Sequence, residues 1–275
     1  MAILTGTAAA AALALASSSW TASTWGVVAA TAALAVVGLV DDVRGLAARP
    51  RLILQVAVGA LGGLAIAGAT GAVVGALVTP TAVNMVNFMD GINGICGIHA
   101  AVWGASALVA AGRGGGEVLA TLGLLSLAGG PGFLPWNLPK ARMFLGDVGS
   151  YFLGGLAGFG VTAALTSSGG TLTSLAVIGL VCAPYLLFAV DTATALVRRR
   201  RAGEPLFEAH RTHVYQRLVN EGALPHSLVS SGMGAIGLLV SAAFLLGWPI
   251  GVLTCAVAAV AYLSTPRLIL RGAPA

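Results

Sequence analysis

The chain alternates long apolar segments with short polar connections, and this alternation predicts its architecture. A membrane-spanning helix needs about 20 mostly apolar residues, with a range of about 17–25. By this criterion the sequence predicts an all-α, polytopic transmembrane helix bundle of about ten spans. The segments assigned as spans are residues 3–19, 25–40, 51–69, 71–88, 92–111, 117–131, 148–166, 171–195, 226–246 and 249–264.

Composition supports a membrane protein, because 57% of the 275 residues are hydrophobic and only 8% are charged. Soluble domains carry about 25% charged residues, so a soluble class is excluded. Segment 3–19 is read as a span and not as a signal peptide, because no basic residue precedes Arg44. The three cysteines lie in separate apolar segments and form neither a metal-binding spacing nor a disulfide framework.

The basic residues predict the orientation of the bundle. With the amino terminus inside, 13 of the 14 Lys and Arg residues fall in inner loops, and only Arg113 lies outside. The positive-inside rule therefore places these loops in the cytoplasm. All acidic residues except Glu117 follow the same side, although the rule is nearly blind to Asp and Glu. The sequence thus predicts one charged surface facing the cytoplasm.

The least apolar passage is Phe133–Ser150, FLPWNLPKARMFLGDVGS, in which Asp147 stands between Gly146 and Gly149. A carboxylate in open backbone suits Mg²⁺, which usually takes one or two protein carboxylates and completes its shell with waters and substrate phosphates. Asp147 could instead cap a helix that begins near Val148. The passage alone leaves both interpretations open.

A second acidic motif, Asp41-Asp42, ends an apolar segment in GLVDDVRGL. Two adjacent carboxylates near lipid are costly unless they are paired or functional. Pairing of one of them with Arg44 is the simpler alternative.

The stretch 84–97, NMVNFMDGINGICG, carries Asn84, Asn87 and Asp90 at a spacing of three residues. On a helix this spacing gives one polar stripe about 9 Å long. Asn side chains can also bond neighbouring helices in lipid. Three glycines then follow at the same spacing, Gly91, Gly94 and Gly97. They are typical of a place where a ligand approaches the main chain.

The longest polar passage covers residues 198–222, RRRRAGEPLFEAHRTHVYQRLVNEG. Its four leading arginines are read as topology signals that also attract anionic lipid. His210, Arg211 and His213 suit an anionic group better than Zn²⁺, because the spacing and the Cys partners of a zinc site are absent from the sequence.

The set DD, NxxNxxDGxxG, FLGDVGS and HRTHVYQRL, in this order, resembles the bacterial polyprenyl-phosphate N-acetylhexosamine-1-phosphate transferases of the glycosyltransferase 4 type. HRTHVYQRL looks most like the O-antigen and common-antigen branch, and unlike the muramoyl-pentapeptide branch. The resemblance implies one integral membrane domain over residues 1–275. Members usually begin with a further span and a PTPRGG-like loop, which do not precede Trp25. The sequence therefore reads as shortened at its amino terminus or as a shortened homologue.

The resemblance implies an enzyme that transfers N-acetylhexosamine 1-phosphate from a UDP-sugar to polyprenyl phosphate in the bacterial plasma membrane and releases UMP. It implies Mg²⁺, or Mn²⁺ in its place, held by Asp147, with Asp41 and Asp42 acting on the acceptor phosphate. Nucleic acid is not expected as a partner, and a homodimer is left open. The residues that it assigns to substrate binding are Asn84, Asn87, Asp90 and Asn93 for the nucleotide, Phe144 for stacking on uracil, Asn137 as an accessory contact, and His210, Arg211 and His213 for the diphosphate or sugar.

Two alternatives from other classes stay open. A secondary transporter would carry acidic residues near the middle of its spans and a paired internal repeat. A shortened, inactive homologue would serve as a membrane assembly partner.

Overall fold

The computed structural model describes residues 20–167, 171–204 and 213–269, which are helical over most of their length and contain no strand. The helices are α1 Ala22–Arg44, α2 Ala48–Met89, α3 Ile95–Ala110, α4 Gly116–Asn137, α5 Gly146–Thr166, α6 Thr171–Cys182, α7 Leu186–Ala202, α8 Val214–Asn220, α9 His226–Ala243 and α10 Trp248–Ile269. A π-helical turn, Ala111–Gly115, joins α3 to α4, and a 3₁₀ turn, Ala183–Tyr185, joins α6 to α7.

The predicted all-α membrane bundle is confirmed. Seven helical stretches among the described residues are long and apolar enough to cross a membrane. Nine of the predicted spans fall on these stretches, and two stretches hold two predicted spans each. The span predicted at residues 3–19 lies outside the described residues, so the total of ten stays a prediction.

Helix α2 is a hairpin of two legs and not one straight rod. Its backbone leaves helical geometry at Ala67 and at Gly68, whose φ is 59°. Gly59 then lies against the carbonyl of Gly75, and Gly63 against that of Gly71, so a Cβ on any of these residues would collide with the other leg. Small residues spaced by four allow such backbone contact between helices in lipid. The legs are therefore two antiparallel spans.

Helices α3 and α4 form a second hairpin of the same kind. The chain reverses at Arg113 and at Gly114, whose φ is 101°. Gly104 then faces the Gly123 carbonyl, and the Gly97 carbonyl faces Gly130. Both hairpins bury glycine faces. In lipid, helices gain little from burying apolar side chains against each other, and close contact between backbones stabilises their association instead.

Helix α5 is the central helix, and most of its residues are buried. It packs against α1 and the second leg of α2, where Gly154 lies against Val83 and Gly158 against Thr79. Its first turn meets the last turns of α1 and α2. We call this end of the bundle, which carries Asp42 and Asp147, the acidic end.

The opposite end of the bundle carries the reversals of both hairpins, and we call it the far end. Glu117, in the first turn of α4, accepts hydrogen bonds there from Thr24 Oγ1 at 2.8 Å and from the Thr21 N–H at 3.2 Å. The bonds tie the start of α1 to the start of α4. The acidic residue that the sequence sets apart from all the others is thus at the far end in the structure as well.

Candidate active site

Asp42 closes the amino-terminal end of α5. Its exposed carboxylate accepts hydrogen bonds from the backbone N–H groups of Asp147 at 2.9 Å and Val148 at 3.0 Å. The approach is close, because a Cβ at Gly146 would lie 2.7 Å from Asp42 Oδ2. Negative charge is favourable at a helix amino terminus. The capping role considered for Asp147 therefore belongs to Asp42.

Asp147 lies in the first turn of α5 and is half-buried. Asn87 Nδ2, from the end of α2, donates hydrogen bonds to Asp147 Oδ1 and, at 3.0 Å, to Ser150 Oγ. The carboxylate is close enough to that of Asp41 for the two to interact electrostatically. Three carboxylates from two helices thus meet at one place, with Asn87 beside them.

Asp41 is the buried member of this cluster. It accepts hydrogen bonds from the Leu46 N–H at 2.8 Å, the Tyr151 hydroxyl at 2.7 Å and Arg51 Nη1 at 3.2 Å. The partner is Arg51, and not Arg44 as the simpler alternative had it. Because three protein donors hold Asp41 and water reaches Asp42, the two neighbouring residues of the DD motif differ in what they can do.

The predicted nucleotide residue Asn84 points elsewhere. Its Nδ2 donates to Gln55 Oε1 at 2.6 Å and to the Pro80 carbonyl at 2.7 Å. For Asn84 the structure thus favours the helix-bonding alternative. Asn84 also lines an apolar groove of about 420 Å³ between α2 and α7, together with Leu52, Met85, Phe88, Ala189, Thr192 and Leu196.

Asp90 directly follows α2 and begins the turn to α3, and the residue as a whole is partly exposed. Desolvation raises the pKa of Asp90 to about 7; the hydrogen bond with the Cys96 thiol opposes this shift, and the negative charge of Asp147 adds to it. The turn therefore belongs to the same electrostatic neighbourhood as the carboxylate cluster.

The turn after Asp90 is joined to the loop between α4 and α5. Asn93 Nδ2 donates to the Pro139 carbonyl at 3.3 Å, and the Gly94 N–H donates to Asn137 Oδ1. Asn137 Nδ2 in turn donates to the Met143 carbonyl at 2.9 Å. The next residue, Phe144, is 81% exposed. An exposed aromatic ring on a hydrogen-bonded loop can stack on a flat ligand.

His213 lies apart from the carboxylate cluster. Its side chain is 2% exposed, and Nδ1 lies 3.2 Å from Asp191 Oδ1. His210 and Arg211 lie outside the described residues. The structure therefore places one of the three anion-binding candidates, in a buried position, and the role of all three stays a prediction.

The sequence analysis did not identify the side chains that form hydrogen bonds with the predicted site residues and with the segments that carry them. Arg51 and Tyr151 hold Asp41, and the buried Asp191 holds the start of α8. Asp191 carried a usable signal, because an acidic residue within an apolar segment is rarely there without a partner. Arg51 and Tyr151 carried none, since one reads as a topology signal and the other as a core aromatic.

The carboxylates suit a metal that the substrates help to bind. Among the described residues, no group of three or more metal-ligating side chains is arranged as a ready cage. Mg²⁺ commonly uses one or two carboxylates plus substrate phosphates, which the oxygen donors of Asp147 and Asp42 fit.

Comparison with known proteins identifies relatives of this chain. The model of glycosyl transferase family 4 matches residues 24–167, which include the carboxylate cluster, the turn after α2 and Phe144. Decaprenyl-phosphate N-acetylglucosaminephosphotransferase of Mycolicibacterium smegmatis is 28% identical over 233 residues, covering 71% of this chain and 56% of the relative.

Two further relatives carry related names. In Bacillus subtilis, "Probable undecaprenyl-phosphate N-acetylglucosaminyl 1-phosphate transferase" is 30% identical, covering 58% of this chain and 43% of the relative. Phospho-N-acetylmuramoyl-pentapeptide-transferase of Moorella thermoacetica is 34% identical, covering 61% of this chain and 49% of the relative. The chain spans about half the length of these curated relatives.

Proposed function

Because the chain belongs to glycosyl transferase family 4, we propose that it transfers N-acetylhexosamine 1-phosphate from a UDP-sugar to polyprenyl phosphate. The observation that carries the proposal is the convergence of Asp41, Asp42 and Asp147 at the acidic end. An oxygen of the acceptor phosphate attacks the phosphorus that bears the sugar. The bond from this phosphorus to the bridging oxygen breaks, UMP leaves, and a lipid-linked sugar diphosphate remains.

The central difficulty of this reaction is electrostatic, because both substrates are anions. At 4 Å and an effective dielectric constant of 20, each pair of unit charges costs about 4 kcal/mol. Phosphoryl transfer is catalysed chiefly by positioning and by neutralising such charge. Mg²⁺, or Mn²⁺, held by Asp147 would supply the neutralising positive charge. Asn87 orients the Asp147 carboxylate through their hydrogen bond.

The two carboxylates of the DD motif then take different roles. Exposed Asp42 can reach the acceptor and take up the remaining proton of its phosphate, so that the attacking oxygen is fully charged. Asp41 is held by Arg51, Tyr151 and the Leu46 N–H, and it fixes the end of α1 beside Asp147. Asp41 thus acts on the acceptor through the geometry of its neighbours.

The apolar groove between α2 and α7 fits the hydrocarbon chain of the acceptor. It is lined almost entirely by apolar groups, and it lies beside the second leg of α2, which ends at the carboxylate cluster. An isoprenoid chain in this groove would bring its phosphate to the acidic end. Burial of apolar area contributes about 25 cal/mol per Å², so contact with the groove would favour an acceptor that carries a hydrocarbon chain.

The sugar nucleotide has a different set of candidates, namely Asp90, Asn93, Asn137 and Phe144. Hydrogen bonds through the turn and the loop connect all of them except Asp90, which begins the turn. Phe144 would stack on uracil, and His210 and Arg211 would meet the diphosphate or the sugar. We place the acidic end in the cytoplasm of a bacterial plasma membrane, because the basic residues favour that orientation. The O-antigen and common-antigen branch is the branch we favour.

The experiment is direct. Purified protein is incubated with undecaprenyl phosphate, Mg²⁺ and a panel of UDP-sugars, and release of UMP is followed. We expect release with one UDP-N-acetylhexosamine, dependence on Mg²⁺, and loss of both in Asp147→Asn. Release of no UMP from any donor, by protein that unfolds cooperatively on heating, would contradict the proposal and favour an inactive homologue.

A further inference from the structure

Two polar side chains of α9 hold the turn that follows α2. His226 Nδ1 accepts a hydrogen bond from the Asn93 backbone N–H at 3.1 Å, and Ser230 Oγ donates one to the Asn93 carbonyl at 2.7 Å. Both backbone polar groups of one residue are thus bonded by side chains of a single helix. His226 and Ser230 lie beyond residues 24–167, so the family match does not include them.

The packing of α9 explains how these side chains reach the turn. Residues 226, 230 and 234 follow at a spacing of four and therefore share one face of the helix. Gly234 lies against the side chain of Ile98 in α3, where an added Cβ would collide. The close approach of α9 to α3 carries the buried Ser230 and the partly exposed His226 to Asn93.

The turn transmits this constraint to the proposed nucleotide site. From Asn93, one hydrogen bond leads to Pro139 and the next residue bonds Asn137, which fixes the loop that carries Phe144. Hydrogen bonds thus connect α9, through the turn and the loop, to Met143, the residue before the exposed ring. For Nδ1 to accept, the proton of the neutral imidazole must sit on Nε2, so the His226 ring has one required tautomer.

We propose that His226 and Ser230 are positioning residues for the sugar nucleotide, acting through Asn93. The inference rests on the proposed function, and it assigns neither side chain a contact with the reacting atoms. It predicts that their loss disturbs the donor site and leaves the acceptor groove, which lies between α2 and α7, as it was. A residue that only stabilises the fold would affect both substrates equally.

The kinetic test uses variants matched in shape. His226→Phe fills the ring space without an acceptor, whereas His226→Asn retains an oxygen near the position of Nδ1. One net hydrogen bond corresponds to about a two- to tenfold change in an equilibrium constant, at 1.4 kcal/mol per tenfold. We expect His226→Phe and Ser230→Ala to raise the KM for UDP-sugar by this factor, with kcat and the KM for polyprenyl phosphate unchanged. His226→Asn should restore the KM, and Ser231→Ala, on the exposed face of α9, should have no effect.

Equal changes in the two KM values, or a failure of His226→Asn to restore the KM for UDP-sugar, would overturn the inference. A second measurement does not depend on turnover. Hydrogen–deuterium exchange of the segment 86–98 in substrate-free protein should be faster by about tenfold at the Asn93 amide in His226→Phe, and unchanged in Ser231→Ala.

Unchanged exchange in His226→Phe would overturn the positioning role even if the kinetics agreed. The wild-type protein could release UMP from no donor while the Asn93 amide exchanges faster in His226→Phe. In that case the proposed function fails, but the hold of His226 on the turn after α2 is confirmed. The two failures are therefore distinguishable.

Discussion

Asp42 and Asp191 each accept backbone N–H groups at the start of a helix, but the first is exposed to solvent and the second is buried. Asp42 accepts the N–H groups of Asp147 and Val148 at the start of α5. Asp191, from α7, accepts those of Val214 at 3.0 Å and Tyr215 at 3.5 Å at the start of α8. Each places negative charge at the amino terminus of a helix from another part of the chain. Asp42 is exposed, and Asp191 is 1% exposed.

The difference lies in the remaining partners. Asp191 also accepts the Tyr262 hydroxyl at 2.6 Å, and His213 Nδ1 lies 3.2 Å away, so protein groups surround both oxygens. A carboxylate has about four acceptor sites, and Asp191 uses them within the fold. Asp42 faces water at the acidic end. Two acidic residues that cap helices in similar ways therefore differ in one respect that matters for function, namely whether a ligand can reach the carboxylate.

The largest effect should follow removal of the buried carboxylate. Asp191→Ala leaves two backbone N–H groups and the Tyr262 hydroxyl without the acceptor they share, and each buried donor left unsatisfied costs about 1–3 kcal/mol. We expect a fall of about 10 °C in the apparent Tm in detergent, at about 2–4 °C per kcal/mol. Asp42→Ala should lower the Tm by less than about 3 °C. A larger loss of stability for Asp42→Ala than for Asp191→Ala would reverse the comparison.

Catalytic turnover should depend more on the carboxylates of the acidic end than on the buried Asp191. Asp147→Asn removes the charge proposed to hold the metal, and loss of one preorganised electrostatic group typically lowers kcat by about 10²–10³-fold. We expect this loss with a Tm within about 2 °C of wild type, measured by UMP release and thermal unfolding. A folded Asp147→Asn protein with unchanged Mg²⁺ dependence would return Asp147 to a structural role.

The two regions also offer matched tyrosines. Tyr151 donates its hydroxyl to Asp41, and Tyr262 donates to Asp191. Each Tyr→Phe change removes one hydrogen bond to a charged group, worth about 1.5–3 kcal/mol. We expect similar falls in Tm for both, but a lower kcat/KM only for Tyr151→Phe, because Asp41 interacts with Asp147. Equal losses of kcat/KM would mean that both carboxylates serve catalysis.

The smallest effect concerns pH. The pKa of Asp90 is raised from 3.8 to about 7, so the folded state binds more protons than the unfolded state between these values. Stability therefore falls as pH rises through this window. Asp90→Asn removes the penalty, and we expect its Tm to exceed that of wild type at pH 8 and to approach it at pH 5. A difference independent of pH would show that Asp90 does not titrate there.

Much of this arrangement could be predicted from the sequence, because polar motifs stand out in an apolar chain. The long apolar segments gave the fold class, and the family resemblance is confirmed by the match to residues 24–167. Asp42, Asn87 and Asp147, chosen from separate motifs, are brought together by the structure. The roles assigned to them stay predictions.

The supporting residues could not be predicted, because their contacts join distant parts of the chain. Tyr151 lies 110 positions from Asp41, Tyr262 lies 71 from Asp191, and His226 lies 133 from Asn93. A tyrosine in an apolar helix and a histidine at a loop edge look alike whether or not they reach a partner. Asn84 shows the opposite error. It belongs to the predicted polar stripe of α2, but its side chain bonds Gln55 and not the candidate site.

Gly38, the glycine of α1 that lies against the start of α5, limits which substitutions this sequence can accept. A Cβ at Gly38 would overlap the backbone of Asp147 and Val148, so no rotamer change can make room for it. Space is open around Gly132 and Gly232, where an added Cβ meets nothing within 4 Å. The described glycines therefore include positions that would exclude and positions that would admit a side chain, and a saturation screen would separate the two kinds. Position 38 should accept almost no replacement, since the spacing between Asp42 and Asp147 is set there by main chain against main chain.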